Sequence, residues 1–297
     1  MDGFFIVDKE GGWTSSDVVV KIRNALKPFG KIKVGHLGTL DPAGTGVLVI
    51  ALGKATRLFE FLRRERKVYE AGFVFNITTD TLDGEGKVTE TRQAKFSEND
   101  VIAALKSCEG TVDQIPPAYS SISVGGKRAY DLARKGEEVE LKPRPVNIFG
   151  IKLLEKRAAP ENVISEKAEN EYRVLIDCEG GTYVRSIARD AAAALGTVGY
   201  MSYIRRLKSG VFDISGAAKV SEIIKEPLKH LIPLPSAVES FKRFDLKGED
   251  EIKKASNGIK SRASGFADGE TVAVYADDKL FGIATAKGGF LDIKVRL

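Results

Sequence analysis

The chain has 297 residues, a net charge of +5 and a pI of about 9.0; 29% of residues are charged, 43% are hydrophobic, and the mean hydropathy is −0.14. At roughly 100–200 residues per domain, this length suits one large domain with a small one, and the composition excludes global disorder. The mild positive charge permits a nucleic-acid partner without demanding one, while two Cys and two His exclude a disulfide framework and any zinc site of finger, ribbon or H-E-x-x-H spacing.

The N-terminus, Met1-Asp2-Gly3-Phe4-Phe5, has no basic run ahead of a long apolar one, so no secretory leader is expected. No apolar stretch approaches the ~20 residues of a membrane span. A cytoplasmic, metal-free protein is the expectation. Phe4–Val7 reads as a strand. Thr14-Ser15-Ser16-Asp17 starts a helix, with Val18, Ile22, Leu26 and Phe29 at helical spacing and Gly30 as its stop. Gly35–Gly46 holds four Gly and one Pro and reads as loop. Val47–Leu52 is a continuous apolar run, a buried strand or helix segment. Leu58, Phe59 and Leu62 suggest a short helix, and Val68–Phe75 a strand. Ser97 with Asp100 opens a helix that Gly110 ends. Val124–Pro145, rich in Lys, Arg and Glu, reads as an excursion from the core. Val146–Leu154 and Tyr172–Cys178 are strand-like, and Gly180-Gly181-Thr182 turns into a helix running to Leu195. Pro227, Pro233 and Pro235 mark a linker. Beyond it, Thr271–Tyr275, Leu280–Ala284 and Leu291–Val295 are short β runs split by turn residues. The expected division is 1–235 with an excursion at 124–145, then a small β-rich domain at 236–297.

Chemistry concentrates in the glycine-rich loop. Asp41 is its only acid, Pro42 biases Asp41 towards an extended backbone, and the neighbouring glycines allow a ligand close approach. His36 stands five residues away. Neither a Walker A motif nor a G-x-G-x-x-G turn is present, so phosphate-loop chemistry is excluded. Arg185 falls in the first turn of its helix if Thr182 is the cap, where a cation opposes the helix dipole. Some acid should compensate it. Lys67-Val68-Tyr69 follows Arg63, Arg64 and Arg66, so Tyr69 is either a core-flanking ring or a base platform in a basic rim. Arg205, Arg206 and Lys208 form a similar run. Arg63–Lys67, Lys127–Lys142 and Arg205–Lys208 are candidate phosphate contacts.

Taken in order, these segments resemble the TruB family of tRNA pseudouridine synthases. The resemblance runs from about Gly3 to Ser215, through Val7-Asp8-Lys9 with Gly12-Trp13-Thr14-Ser15, Gly35-His36 with Thr39-Leu40-Asp41-Pro42, and Lys67-Val68-Tyr69. It continues through Thr78–Asp83, Pro116–Ser121, Gly181–Arg185 and Tyr203–Leu207. Glu10, Leu37 and Gly44 depart from the usual residues, and none of the three removes a reactive side chain. The resemblance implies an α+β fold: a mixed, largely antiparallel central sheet flanked by helices, plus a small C-terminal β-barrel of PUA type that binds RNA. It implies isomerisation of the uridine at position 55 in the T arm of tRNA, with no cofactor, no metal and no obligatory protein partner. By the same resemblance Asp41 is the essential carboxylate, and Arg185 holds its pKa down by pairing with it. Tyr69 stacks on the flipped uracil and moves a proton. His36 fills the vacated stack, Tyr183 and Ile204 wall the pocket, and Lys9 supports the loop. Two alternatives stand beside this: a guide-dependent relative inside a ribonucleoprotein, and a non-catalytic RNA-binding or RNA-folding protein.

Overall fold

The computed structural model describes residues 1–137, 139–159 and 170–297. The helix starts at Thr14 and Ser97 form as capping boxes. The Thr14 hydroxyl accepts from the Asp17 amide at 3.1 Å, and the Asp17 carboxylate accepts from the Thr14 amide at 2.9 Å, opening helix Ser15–Ala25. Ser97 and Asp100 make the same reciprocal pair ahead of helix Glu98–Ser107. Each box satisfies two amides that a helix start leaves orphaned. Val18, Ile22 and Leu26 bury, but Phe29 lies beyond the helix on a 3-10 turn and is exposed.

A nine-stranded sheet forms the larger part of the molecule. Seven strands lie in the order Gly3–Lys9, Thr45–Leu52, Gly199–Ser209, Lys67–Phe75, Asn170–Cys178, Arg144–Ala158, Gly110–Gln114. Val34–Leu37 pairs with Thr45–Leu52, and Phe212–Asp213 with Gly199–Ser209. The pairings are antiparallel with one exception, a two-residue parallel join of Arg205 to Thr45 and Arg206 to Gly46. The sheet is therefore mixed and largely antiparallel.

The Val47–Leu52 ambiguity resolves to strand because both faces of the sheet are covered there. Leu48 and Ile50 face a core shared with helices Ser15–Ala25, Glu98–Ser107 and Val184–Ala194. Val47, Val49 and Ala51 face a second cluster with Phe4, Ile6, Leu58 and Phe212. A strand buried on both faces loses its polar alternation and reads as a continuous apolar run.

The glycine-rich run is not loop throughout. Val34–Leu37 is a strand against Thr45–Leu52, because Val34 and Leu37 bury and Gly35 leaves room for the Phe59 ring, 3.1 Å from where a Cβ would stand. At the other end Gly46 sits in the parallel join with φ +93°, and a Cβ there would overlap the Arg206 carbonyl oxygen. Only glycine meets both demands. Gly46→Ala is expected to lower stability by about 2 kcal/mol or more, read as a lower melting temperature; a parental melting temperature would show that the join is not tight.

The charged stretch begins with a hairpin, Ser123–Val124 against Lys127–Arg128, turned by Gly125 and Gly126 at positive φ, and continues into helix Ala129–Arg134. Residue 138 of that stretch lies outside the described residues.

The tail forms a five-stranded sheet in the order Lys242–Asp245, Thr271–Ala276, Lys279–Lys287, Phe290–Arg296, Ser261–Arg262. Asp277-Asp278 and Gly288-Gly289 all have positive φ, the geometry that two-residue hairpin turns require. Among the described residues its two edge strands do not pair with each other. The proline-marked segment is no free linker. Ile232 exchanges both backbone hydrogen bonds with Phe4, at 2.8 and 2.9 Å. Ala237, Val238, Ala273 and Ile283 bury in one cluster with Phe4, Ile6, Val47 and Val49, so the two sheets share a core. Cutting the chain near Ser240 would therefore expose apolar surface as well as remove the tail. Among the described residues, no helix is long and apolar enough to cross a membrane.

Candidate active site

Between its two strands the glycine-rich run leaves a short loop, Gly38 to Gly44, with Asp41 near its middle. The loop is tied at Leu40, Asp41, Pro42 and Gly44. Lys9 is 0% exposed, and its ammonium donates to three carbonyls: Trp13 at 2.6 Å, Pro42 at 2.9 Å and Glu10 at 3.0 Å. Ser15 Oγ donates to the Leu40 carbonyl at 3.1 Å and accepts from the Leu40 amide at 2.9 Å. The Gly44 amide closes a turn on the Asp41 carbonyl at 3.0 Å. Asp41 is thus presented on fixed backbone, with 36% of its side chain exposed. Gly44 leaves space: a Cβ there would stand 3.2 Å from both the Asp41 carbonyl and Ile204 Cγ2.

The acid that Arg185 needs is present twice. The cap of helix Val184–Ala194 is Tyr183, not Thr182, whose hydroxyl donates to the Glu179 carbonyl at 2.8 Å. Arg185 stays in the first turn and is 7% exposed. Its Nε lies 3.2 Å from Asp41 Oδ2, its Nη2 donates to Asp41 Oδ1 at 3.2 Å, and its Nη1 lies 3.2 Å from Asp83 Oδ2. It also donates to the carbonyls of Thr81 and Tyr119, both at 3.0 Å. Two carboxylates compensate the cation that the helix dipole disfavours.

The expected fall in the Asp41 pKa does not result. Burial pushes the carboxyl above its usual range, and Asp83 adds to the rise, while Arg185 and Lys9 oppose it. Burial also lowers the Lys9 ammonium to about 8, against the pull of Asp41. Arg185→Met would leave Asp41 and Asp83 facing each other without their cation. Removing one partner of a buried pair typically costs about 3–5 kcal/mol; the solvent open to Asp41 puts this case near about 3. Denaturant unfolding at pH 7 measures it, and a loss under about 1 kcal/mol would mean that solvent already screens the pair.

The other expected site residues are placed as follows. Tyr69, on strand Lys67–Phe75, is buried, and burial raises its hydroxyl pKa. His36, on strand Val34–Leu37, is half-buried; among the described residues its Nδ1 has no hydrogen-bond partner, and burial lowers its pKa. Tyr183 is fixed through its backbone. Its amide donates to Gln114 Oε1 at 2.8 Å and its carbonyl accepts from Gln114 Nε2 at 3.1 Å. Asp41 lies within electrostatic range of Lys9, Tyr69, Tyr183 and Glu85. A cavity of about 210 Å³ opens beside Asp41, walled by Gly44, Asp83, Glu85, Tyr203 and Ile204 among others. Ile204 thus lines it; Tyr69 and Tyr183 are not among its walls.

Several cations of two basic runs are taken up within the protein, while Arg63, Arg64 and Lys208 stay exposed. Lys67 is 3% exposed and donates to the carbonyls of Arg63 and Glu65. Arg66 is taken up by Asp177, and Arg205 by Asp8 at 2.9 and 3.0 Å. Arg206 is buried. Lys67 opens strand Lys67–Phe75 and Arg206 lies within strand Gly199–Ser209, and these two are the cations that bury. Asp83 and Arg206 are the residues that sequence reasoning missed as site components. The Thr78–Asp83 segment was visible only as a motif, and nothing local pairs it with residue 185. Among the described residues, no three His, Cys, Asp or Glu side chains cluster to hold a metal ion.

Residues 26–184 match the family described as TruB family pseudouridylate synthase (N terminal domain), a span that contains Asp41, Tyr69 and Asp83. The chain belongs to the TruB family. It is therefore an isomerase of the pseudouridine synthase type. TruB-family relatives extend the match to nearly the whole chain. The tRNA pseudouridine synthase B of Mycobacteroides abscessus is 39% identical, covering 96% of this chain and 93% of the relative. That of Aquifex aeolicus is 34% identical, covering 99% of each. The fold resembles a chain of a Cbf5-Nop10-Gar1 complex, with a TM-score of 0.72 and 24% identity over 99% of this chain and 84% of that one. It also resembles a chain of an H/ACA RNP bound to a substrate RNA containing 2′-deoxyuridine, with a TM-score of 0.70 and 23% identity over the same shares.

Proposed function

We propose that this protein converts uridine to pseudouridine at position 55 in the T arm of tRNA, alone, with Asp41 as nucleophile. The observation that carries the reading is Asp41 itself: a carboxylate on rigid backbone, held by a buried arginine, beside an open cavity. The reaction breaks N1–C1′, turns the uracil and joins C5 to C1′. It is an isomerisation, with no redox change and no hydrolysis, so it calls for no cofactor. A carboxylate nucleophile at a glycosidic centre parallels covalent glycosidase chemistry. The target base has to leave its stack to reach Asp41. His36 fills the vacated place, Tyr69 handles the proton that moves from C5, and Ile204 and Tyr183 confine the base.

The substrate assignment draws on the relatives named tRNA pseudouridine synthase B at 34–39% identity. Residues 236–297 act as a PUA-like RNA-binding domain and residues 124–145 as an RNA-gripping insertion on the catalytic domain 1–235. The protein works in the cytoplasm, where its tRNA is. The guide-dependent alternative has weaker support, because the ribonucleoprotein neighbours share only 23–24% identity. A pure binder has no use for an ionised carboxylate facing phosphates.

One assay separates the three readings. Purified protein is mixed with unmodified tRNA transcript and scored for pseudouridine at position 55. Product without added guide RNA or protein is the expected result. Binding without product, or product only with a guide ribonucleoprotein, overturns the reading.

A further inference from the structure

We propose that Arg206 is a positioning residue for the isomerisation, which ties both ends of the catalytic loop and sets an unbalanced positive charge beside the Tyr69 hydroxyl; this rests on the function proposed above. Arg206 is 1% exposed and heads the fully buried side chains by size. Its register places it opposite Gly46 on one neighbouring strand and opposite Tyr69 on the other. Directly opposed residues of an antiparallel pair project to the same face, so Arg206 and Tyr69 are side-by-side neighbours. The guanidinium Nε donates to the Val47 carbonyl at 2.6 Å and Nη2 to the Gly38 carbonyl at 3.1 Å. Gly38 begins the loop and Val47 follows its end. One planar fork therefore closes the loop, which a lysine ammonium could not do with the same geometry.

The charge on that fork is not neutralised. Buried cations are normally paired, yet among the described residues Arg206 has no carboxylate within ion-pair distance. Its buried neighbours Lys9 and Lys67 are likewise held by carbonyl oxygens. The field of Arg206 is felt by Lys9, His36, Lys67 and Tyr69. At Tyr69 burial favours the neutral phenol and Arg206 opposes it most strongly. In the reaction Tyr69 gives its proton to the N1 released from C1′ and takes the proton that leaves C5, so it ends as it began. Between the two transfers it is a phenolate, and Arg206 is the cation beside it.

The test is a double-mutant cycle on single-turnover rates at saturating enzyme, with tRNA binding and thermal unfolding measured for each variant. Arg206→Met in the parent is expected to lower the rate about 100-fold, within the range for proton-transfer catalysis, with binding within about twofold. In a Tyr69→Phe background the same substitution should cost under about tenfold, because the hydroxyl it serves is gone. Arg206→Lys restores the charge without the fork and should recover most of the Arg206→Met loss. If Arg206→Met does not fold, Arg206→Gln, which keeps a donor for one carbonyl, goes through the same cycle. Equal fold-losses in both backgrounds, with an active parent, overturn the proposal. An inactive parent overturns the functional reading and this proposal with it.

Discussion

Replacing Asp41 by Asn is expected to stop pseudouridine formation, with a loss on the order of 10⁴-fold or more, the scale on which removal of a nucleophile acts. The side chain keeps its shape and loses only charge and nucleophilicity. RNA affinity should stay near parental, because phosphate contacts dominate it. Stability should not fall either. The folded-state pKa of Asp41 is raised, so the folded protein holds this proton more tightly than the unfolded chain does. The stability from that group is complete below the ordinary carboxylate range and is lost as pH rises through the raised value. Asp41→Asn should thus melt no lower than the parent at pH 7, and the parent should lose ground to it as pH rises above the ordinary range. The same shift puts the acid limb of the parental rate profile above the usual aspartate pKa, since only the ionised form attacks. Pseudouridine above a trace from Asp41→Asn would falsify the nucleophile assignment. A parent that instead gained stability on the variant with rising pH would contradict the burial account.

Tyr69→Phe should separate two roles that the sequence superimposes. The ring and its packing remain, and only the hydroxyl goes. If that hydroxyl carries the proton, the rate should fall about 10²–10⁴-fold while tRNA binding and melting temperature hold. Tyr69→Ala is less informative, because the ring belongs to the main core cluster. Deleting a buried ring costs about 3–5 kcal/mol, so folding and catalysis would fail together. Tyr69 is only 7% exposed, so the unliganded protein shows the site little of its aromatic face. Single-turnover kinetics with separately measured binding decides the matter. Parental turnover from Tyr69→Phe would leave the ring as packing and send the search for the proton carrier elsewhere.

Several features of this protein were determined by the sequence alone. The capping boxes at Thr14 and Ser97, the hairpin turns at Asp277-Asp278 and Gly288-Gly289, and the strands holding Phe4–Val7, Val68–Phe75, Val146–Leu154, Tyr172–Cys178 and the three tail runs are encoded within a few neighbouring residues. The ordered motifs around Asp41, Tyr69 and Arg185 were also legible, and they pointed to the right family. Tertiary structure decided the rest. Asp83 and Asp41 reach Arg185 across more than a hundred residues of chain, and no local pattern reports such a meeting. The direction of the Asp41 pKa was misjudged for the same reason: sequence suggests a partner, whereas burial depends on what closes over the group. Lys67 and Arg206 looked like surface cations because a basic run has no inside or outside until a strand's alternation and its neighbours assign one. The proline-marked segment looked like a linker because only the packed molecule shows Ile232 bonded to Phe4 and the tail sharing the core of the first sheet. Local backbone preferences act over about four residues; burial, and with it the electrostatics of the site, is a property of the whole packed molecule.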